Sequence, residues 1–115
     1  MIAAIYNMLV DQGATFSRVL TYKDDAGNPV NLTGYTARMQ VRDTYDAAGV
    51  ALNLTTENGG IALGGALGTI TLAATATATA AITADQYVYD LEMITGSQVT
   101  RLVEGTFTVT PEVTR

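Results

Sequence analysis

The sequence contains no cysteine, no histidine and no tryptophan, and Lys23 is its one lysine. Without cysteine the chain can form neither a disulfide bond nor a thiolate nucleophile. A serine or threonine nucleophile needs a base beside it, and the one amine available for a serine–lysine pair, Lys23, stands next to Asp24 and Asp25. We therefore expect a protein that is not an enzyme and has no catalytic residues.

Positive charge is also scarce, since six Lys and Arg residues face eleven Asp and Glu residues and the net charge is −5. This balance argues against nucleic acid or an anionic membrane as the partner. The apolar opening, Met1 to Val10, is too short to span a bilayer and lacks the basic start of a signal peptide. We interpret residues 1–12 as an N-terminal strand or arm and residues 13–115 as a single β-sandwich domain.

Three pairs of acidic residues are candidates for acid–base or metal chemistry: Asp24/Asp25, Asp43/Asp46 and Asp90/Glu92. The first two pairs lie in turn segments, where aspartate caps backbone amides. The third pair lies on one face of a strand, where Arg101 is placed to neutralise it. The segment from Asp24 to Asn28 has oxygen ligands for calcium but departs from the EF-hand spacing. We therefore predict no metal site and no cofactor.

The last third of the chain has the clearest pattern. From Tyr87 to Met93 the sequence alternates with period two, with Tyr87, Tyr89, Leu91 and Met93 on one side and Val88, Asp90 and Glu92 on the other, which is typical of a strand with one buried face. Gly96-Ser97 then supplies a tight turn. With that turn, Thr95 faces Gln98, Leu91 faces Leu102, and Glu92 faces Arg101 as an opposite-charge pair.

The strand that follows the turn changes phase along its length. Continued alternation from Leu102 would turn Phe107 and Val109 outward, although threonines surround them and they should face the core. One inserted residue restores the pattern, and we predict a bulge at Glu104–Gly105. Pro111 ends the pairing because it has no N–H to donate.

The remaining strands are predicted at intervals of about 8–12 residues, which indicates an all-β, antiparallel sandwich of seven or eight strands, with a small barrel as the alternative. The expected segments are Ala3–Val10, Thr15–Tyr22, Tyr35–Arg42, Val50–Leu54 and Thr69–Leu72. The alanine- and threonine-rich stretch 73–84 suits a strand or a helix, and we favour a short helix near 77–82 that crosses between the sheets. The expected common core contains Met39, Val41, Leu72, Tyr89, Leu91 and Phe107.

Two features point to contacts with other molecules. The N-terminal strand is apolar on both faces, with no lysine, proline or charge before Asp11, and exposed apolar edges are normally covered or blunted. Either it is buried in its own sheet, or a neighbouring subunit contacts it through Ile5, Tyr6, Met8, Leu9 and Val10. Tyr45 lies in a polar loop and is the tyrosine best placed to contact a glycan.

Several blocks, taken in order, resemble a known family. They are Gly13–Phe16, Asp24–Gly34, Tyr35–Arg42, Gly68–Leu72, Tyr87–Glu92 and Glu104–Pro111. Together they resemble the small immunoglobulin-like β-sandwich domains of tailed-phage virion proteins, including the N-terminal domain of the upper baseplate protein BppU. The resemblance covers residues 13–115 and concerns turns and core positions, so no functional residue is carried over from it.

The resemblance implies a non-enzymatic structural protein of the phage virion, made in the bacterial host cytoplasm. It would be a multi-copy, symmetric module at the tail, neck or baseplate that docks or anchors a fibre, a spike or a neighbouring tail protein. The chain ends at Arg115, four residues after Pro111, so we expect the anchor alone, with a separate partner for host contact. The alternatives are a capsid decoration protein and a glycan-binding module for receptor recognition.

Overall fold

The computed structural model describes residues 4–114 and arranges them as two stacked sheets. Nine strands and two short helices are present in this range. The strands are β1 (Ala4–Ile5), β2 (Met8–Asp11), β3 (Phe16–Thr21), β4 (Thr36–Arg42), β5 (Leu52–Thr55), β6 (Ile61–Leu63), β7 (Thr69–Ala74), β8 (Asp85–Thr95) and β9 (Gln98–Thr110). The helices are a 3-10 turn (Gly65–Leu67) and α1 (Ala76–Ala80). None of the described helices has the length and apolar character needed to cross a bilayer.

The larger sheet has six strands in the order β1-β9-β8-β4-β5, with β2 also paired to β9, and the smaller has the order β3-β7-β6. The predicted all-β sandwich is therefore confirmed, with nine strands rather than seven or eight. The strand count is higher because the N-terminal segment divides in two around Tyr6-Asn7 and because Ile61–Leu63 also pairs.

The N-terminal strands depart from the expected antiparallel arrangement. Both β1 and β2 pair with β9 in parallel, whereas the other strand pairs are antiparallel. Parallel neighbours cannot be joined by a tight turn and need a long connection. Here most of the chain lies between β2 and β9, so the parallel arrangement is available to the N-terminal segment.

The core lies between the sheets and contains all six residues predicted for it: Met39, Val41, Leu72, Tyr89, Leu91 and Phe107. Phe107 is at its centre. Its ring makes edge-to-face contacts with Phe16 of the smaller sheet at 5.6 Å and with Tyr89 of its own sheet at 6.4 Å between centroids. Such pairs contribute about 0.5–1.5 kcal/mol beyond the burial of their area.

The register of β8 and β9 confirms the turn and corrects the position of the bulge. Thr95 pairs with Gln98 and Glu92 with Arg101, as predicted. Leu91, however, pairs with Val103 rather than Leu102, so the extra residue is Leu102 and not one at Glu104–Gly105. The location differs because Leu102 packs against the core together with the buried Val103, so two successive apolar residues are accommodated on the inner side.

The alternation in β3 puts an arginine on the inner face between two apolar residues. Phe16 is buried, Leu20 is partly buried and Arg18 lies between them. The guanidinium lies 5.0 Å from the Phe16 ring centroid, and its Nη2 atom donates to the Leu9 carbonyl at 2.7 Å. Arg18 therefore keeps its charge near water while linking β3 of one sheet to β2 of the other.

Helix α1 crosses from β7 in the smaller sheet to β8 in the larger one, close to the predicted helix at 77–82. Thr75 caps its first turn by accepting from the Ala78 amide at 3.1 Å. Thr79 is fully buried, donates to the Ala14 carbonyl at 2.8 Å and accepts from the Gly13 amide at 3.1 Å. These bonds attach the crossing segment to the loop before β3.

The central position of Leu91, which is fully buried, leads to a first prediction. We expect Leu91→Ala to lower the free energy of unfolding by about 2–5 kcal/mol, because it leaves a cavity between the sheets. Leu67→Ala is the matched control, since Leu67 is 70% exposed and should change stability by no more than about 0.5 kcal/mol. Denaturant unfolding measures both, and equal effects would contradict the described core.

A second prediction concerns the hydroxyl of Thr79. Thr79→Val keeps the side-chain shape but leaves the Gly13 amide without its partner, so we expect a loss of about 1–3 kcal/mol in unfolding free energy. Thr77→Val is the control, because Thr77 is exposed on the same short helix. If thermal denaturation gives the same midpoint for the two variants, the Thr79 bonds do not stabilise the fold.

Candidate functional site

The outer face of the larger sheet carries a depression of about 450 Å³ that is lined by charged side chains. We call it the outer-face depression and define it by the residues that line its floor and rim. They are Arg38, Gln40 and Arg42 of β4, Val88, Tyr89, Asp90 and Glu92 of β8, Arg101 and Glu104 of β9, and Tyr45 of the β4–β5 loop. Strand alternation brings the charged side chains together, since each strand turns its core residues inward and these outward.

Ion pairs organise the floor of this depression. Arg38 Nε contacts Glu92 Oε1 at 2.7 Å, while Arg101 contacts Asp90 Oδ2 at 3.3 Å and Glu104 Oε1 at 3.4 Å. The sequence predicted that Glu92 would face Arg101, and the two are in register, but Glu92 pairs with Arg38 of the neighbouring strand instead. These pairs are partly exposed, so each adds at most about 1 kcal/mol of stability and mainly fixes orientation.

Asp90 lies between two other acidic residues of the depression. Burial raises the pKa of Asp90, the carboxylates of Glu92 and Glu104 raise it further, and the guanidinium groups of Arg101 and Arg38 act in the opposite direction. Desolvation and like charge both disfavour the ionised carboxylate. The surroundings therefore favour the protonated form of Asp90 more than water does.

Tyr45 lies at the rim of the depression and is 81% exposed. The loop that carries it is attached to β4 by Arg42, whose Nη1 donates to the carbonyls of Ala47 at 2.7 Å and Ala48 at 3.2 Å. The Nη2 atom of the same side chain donates to Gln40 Oε1 at 2.8 Å. These bonds attach the loop backbone two and three residues after Tyr45 to β4, while the Tyr45 ring itself stays exposed at the rim.

A second surface lies beside the depression, at the β1–β2 side of the larger sheet, and we call it the N-terminal edge. Ile5 pairs with Glu104 and Leu9 with Thr108. Because Glu104 faces outward in the depression, Ile5 and Leu9 also face outward, with 69% and 61% of their surfaces exposed. The apolar side chains of the N-terminal edge therefore lie on the same face of the larger sheet as the charged residues of the depression.

Hydrogen bonds fix the N-terminal edge to the body of the sandwich. The Tyr6 amide donates to the Glu104 carbonyl at 2.9 Å, and the Thr106 amide donates to Asn7 Oδ1 at 3.0 Å. The Tyr89 hydroxyl donates to the Tyr6 carbonyl, and burial raises the pKa of Tyr89, so the hydroxyl keeps its proton. A Cβ at Gly105 would lie 2.6 Å from the Tyr6 carbonyl oxygen, so this close approach requires glycine.

The five N-terminal residues predicted to contact a subunit do not share one environment. Met8 and Val10 are 3% and 2% exposed and belong to the protein's own core, because β2 turns them inward beside Phe107 and Val109 of β9. Ile5, Leu9 and the half-buried Tyr6 remain accessible. Ala3, also placed in the predicted strand, lies outside the described residues.

In the Lys23–Pro29 turn, the side chain of the first aspartate bonds to backbone amides. Asp24 Oδ1 accepts from the amides of Ala26 at 3.0 Å and Asn28 at 2.9 Å. A bridge between Lys23 and Pro29 closes the turn. Among residues 4–114, no group of three or more acidic side chains is arranged to hold a metal ion.

Sequence reasoning missed the joint site on the outer face, although it identified the members of each row. Alternation along the predicted strand Tyr35–Arg42 turns Arg38, Gln40 and Arg42 away from Met39 and Val41, and Asp90 and Glu92 share one face of another predicted strand, but no local pattern shows that the two strands are neighbours. The opposite charges of the two rows were the available signal, since opposite charges on facing positions favour pairing. The structure places Arg38 directly opposite Glu92.

Compared with known proteins, the chain matches no family model, and it has no significant match among curated proteins.

The raised pKa of Asp90 leads to a third prediction. Because the folded-state pKa lies above the unfolded value, the contribution of Asp90 to stability is fully present at low pH and is lost as pH rises through the folded pKa. The unfolding free energy of the wild type minus that of Asp90→Asn should therefore fall as the pH is raised from below to above the ordinary aspartate pKa of about 3.9. Thermal unfolding of both proteins at a series of pH values measures this difference. Asp25→Asn, on an exposed turn, is the comparison. A free-energy difference that rises with pH would show that pairing of Asp90 with Arg101 dominates.

Proposed function

We propose that this chain is a non-enzymatic structural module of a tailed-phage virion, present in many copies at the tail, neck or baseplate. Its role there is to dock or anchor a fibre, a spike or a neighbouring tail protein. The assignment to the virion rests on the sequence resemblance, and the docking role rests on the N-terminal edge.

The resembling blocks correspond to the framework of the sandwich. Asp24–Gly34 begins in the turn closed by the Lys23–Pro29 bridge, and the remaining blocks contribute β4, β7, β8 and β9. These strands supply most of the buried core. The resemblance is thus consistent with a shared framework, which supports the proposed class.

The observation that carries the docking role is the exposure of Ile5 and Leu9 on the same face of the N-terminal edge. Natural proteins blunt sheet edges with lysine, proline or inward charge, or cover them. In the described part of this segment, residues 4–10 include none of these residue types, and Arg18 of β3 hydrogen-bonds to the edge only at the Leu9 carbonyl, so the side chains of Ile5 and Leu9 stay exposed. A partner protein that packs on Ile5 and Leu9 would remove their apolar surface from water, at about 25 cal/mol per Å².

Location in the particle tests the proposed class directly. Antibodies raised against the purified chain would be applied, with gold labels, to phage particles purified from the organism that encodes it. We expect regular labelling at the tail, neck or baseplate. Labelling confined to the capsid would indicate a decoration protein instead, and particles without label or peptide would contradict the proposal.

A fourth prediction tests the docking role of the N-terminal edge. We expect the double variant Ile5→Ser/Leu9→Ser to fold with an unchanged melting temperature but to be incorporated poorly into particles, because it loses the apolar contact. The matched control is Leu67→Ser/Val19→Ser, whose side chains are 70% and 62% exposed on other parts of the surface.

Quantitative mass spectrometry of purified particles measures incorporation of each variant. Reduced incorporation of the edge variant alone supports the role. Equal incorporation of the two double variants would contradict it, as would a melting temperature that falls for the edge variant alone, since Ile5 and Leu9 would then serve the fold.

A further inference from the structure

The charge of the outer-face depression differs from that of the rest of the protein. Three of the six basic residues of the chain line it, and they are balanced by three carboxylates. The whole chain, in contrast, has a net charge of −5. A ligand with a net charge of either sign therefore gains little from this site, whereas a neutral ligand meets a dense array of polar groups.

The ion pairs leave much hydrogen-bonding capacity unused. Arg38 donates to Glu92 through Nε alone, and its two terminal nitrogens make no hydrogen bond with residues 4–114. The Gln40 amide nitrogen is likewise without a partner in that range, since the contact of this side chain is made by its oxygen. Each carboxylate oxygen has two acceptor positions, so Glu92 and Asp90 can accept further donors.

The shape and rim of the depression suit a ligand with one apolar face. Its volume of about 450 Å³ lies within the ordinary range of small-molecule sites, about 300–1,000 Å³. Tyr45 presents an exposed ring at the rim, and Arg42 attaches the loop backbone that follows Tyr45 to β4. Aromatic rings offer a flat apolar surface beside a polar group.

We propose that the outer-face depression binds a neutral carbohydrate. A sugar ring has hydroxyl groups that both donate and accept, and it has a face of C–H groups. The hydroxyls would bond to the free nitrogens of Arg38 and Gln40 and to the oxygens of Asp90 and Glu92. The C–H face would pack on Tyr45. This inference stands without the proposed place in a virion, because it uses only the outer face of the isolated domain.

The test is titration of the ¹⁵N-labelled full chain with neutral sugars, followed by NMR. The probes are the methyl glycosides of glucose, galactose, mannose and N-acetylglucosamine, together with lactose and cellobiose. We expect at least one of them to shift the amide resonances of β4, β8 and the loop of Tyr45, with a Kd at or below about 10 mM. N-acetylneuraminic acid and galacturonic acid, which carry a charge, should bind more weakly.

Variants separate this site from nonspecific binding. Tyr45→Ala should weaken binding about tenfold, Tyr45→Phe should retain it because the ring remains, and Arg38→Gln should weaken it. Lys23→Ala is the control, since it removes an exposed cation in a distant turn. If the amide resonances of residues outside the depression overlay those of the wild type, each variant is folded.

Three results would overturn the inference. The first is that none of the neutral probes shifts these resonances at concentrations up to about 50 mM, which is about five times the upper limit expected for the Kd. The second is that the acidic sugars bind more tightly than the neutral ones. The third is unchanged affinity in Tyr45→Ala.

Discussion

The β-bulge at Leu102 is the local feature on which both faces of the larger sheet depend. It adds one residue to β9 between Arg101, opposite Glu92, and Val103, opposite Leu91. Before the bulge, Arg101 faces outward; after it, Val103, Phe107 and Val109 face inward and Glu104 faces outward. Because side chains alternate along a strand, an unbroken ladder would expose Phe107 and bury Glu104. The bulge therefore lets one strand supply both the centre of the core and the charged floor of the outer face.

The same strand also determines where the N-terminal segment lies. Gly105 follows the bulge, and its lack of a side chain lets the Tyr6 carbonyl approach β9 closely. The Tyr89 hydroxyl bonds to that carbonyl from the neighbouring strand. Along β1 and β2 the segment then turns Met8 and Val10 inward and Ile5 and Leu9 outward. The proposed docking edge and the proposed carbohydrate site thus lie next to each other, because β9 pairs with β1 and β2 and also contributes Arg101 and Glu104 to the outer-face depression.

Much of the sandwich could be predicted from the sequence, because the information was local. The Gly96-Ser97 turn, the Glu92–Arg101 register and the inward row of Met39 and Val41 follow from turn chemistry and alternation. The bulge itself was predictable from the phase change, but its position depends on how Leu102 packs against the opposite sheet. The pairing of Arg38 with Glu92 and the parallel contact of β2 with β9 depend on which distant segments become neighbours, which no local pattern specifies. For the same reason, sequence reasoning predicted Tyr45 as a ligand contact without identifying the depression beside it.

Cross-strand nuclear Overhauser effects along β8 and β9 test this account most directly, because they report register without any change to the chain. The bulge at Leu102 predicts contacts of Glu92 with Arg101 and of Leu91 with Val103, and further along, of Tyr89 with Gly105. Leu102 should lack a directly opposite partner. Contacts of Leu91 with Leu102 and of Tyr89 with Glu104 would instead show an unbroken ladder. That result would contradict both the described core and the charged outer face.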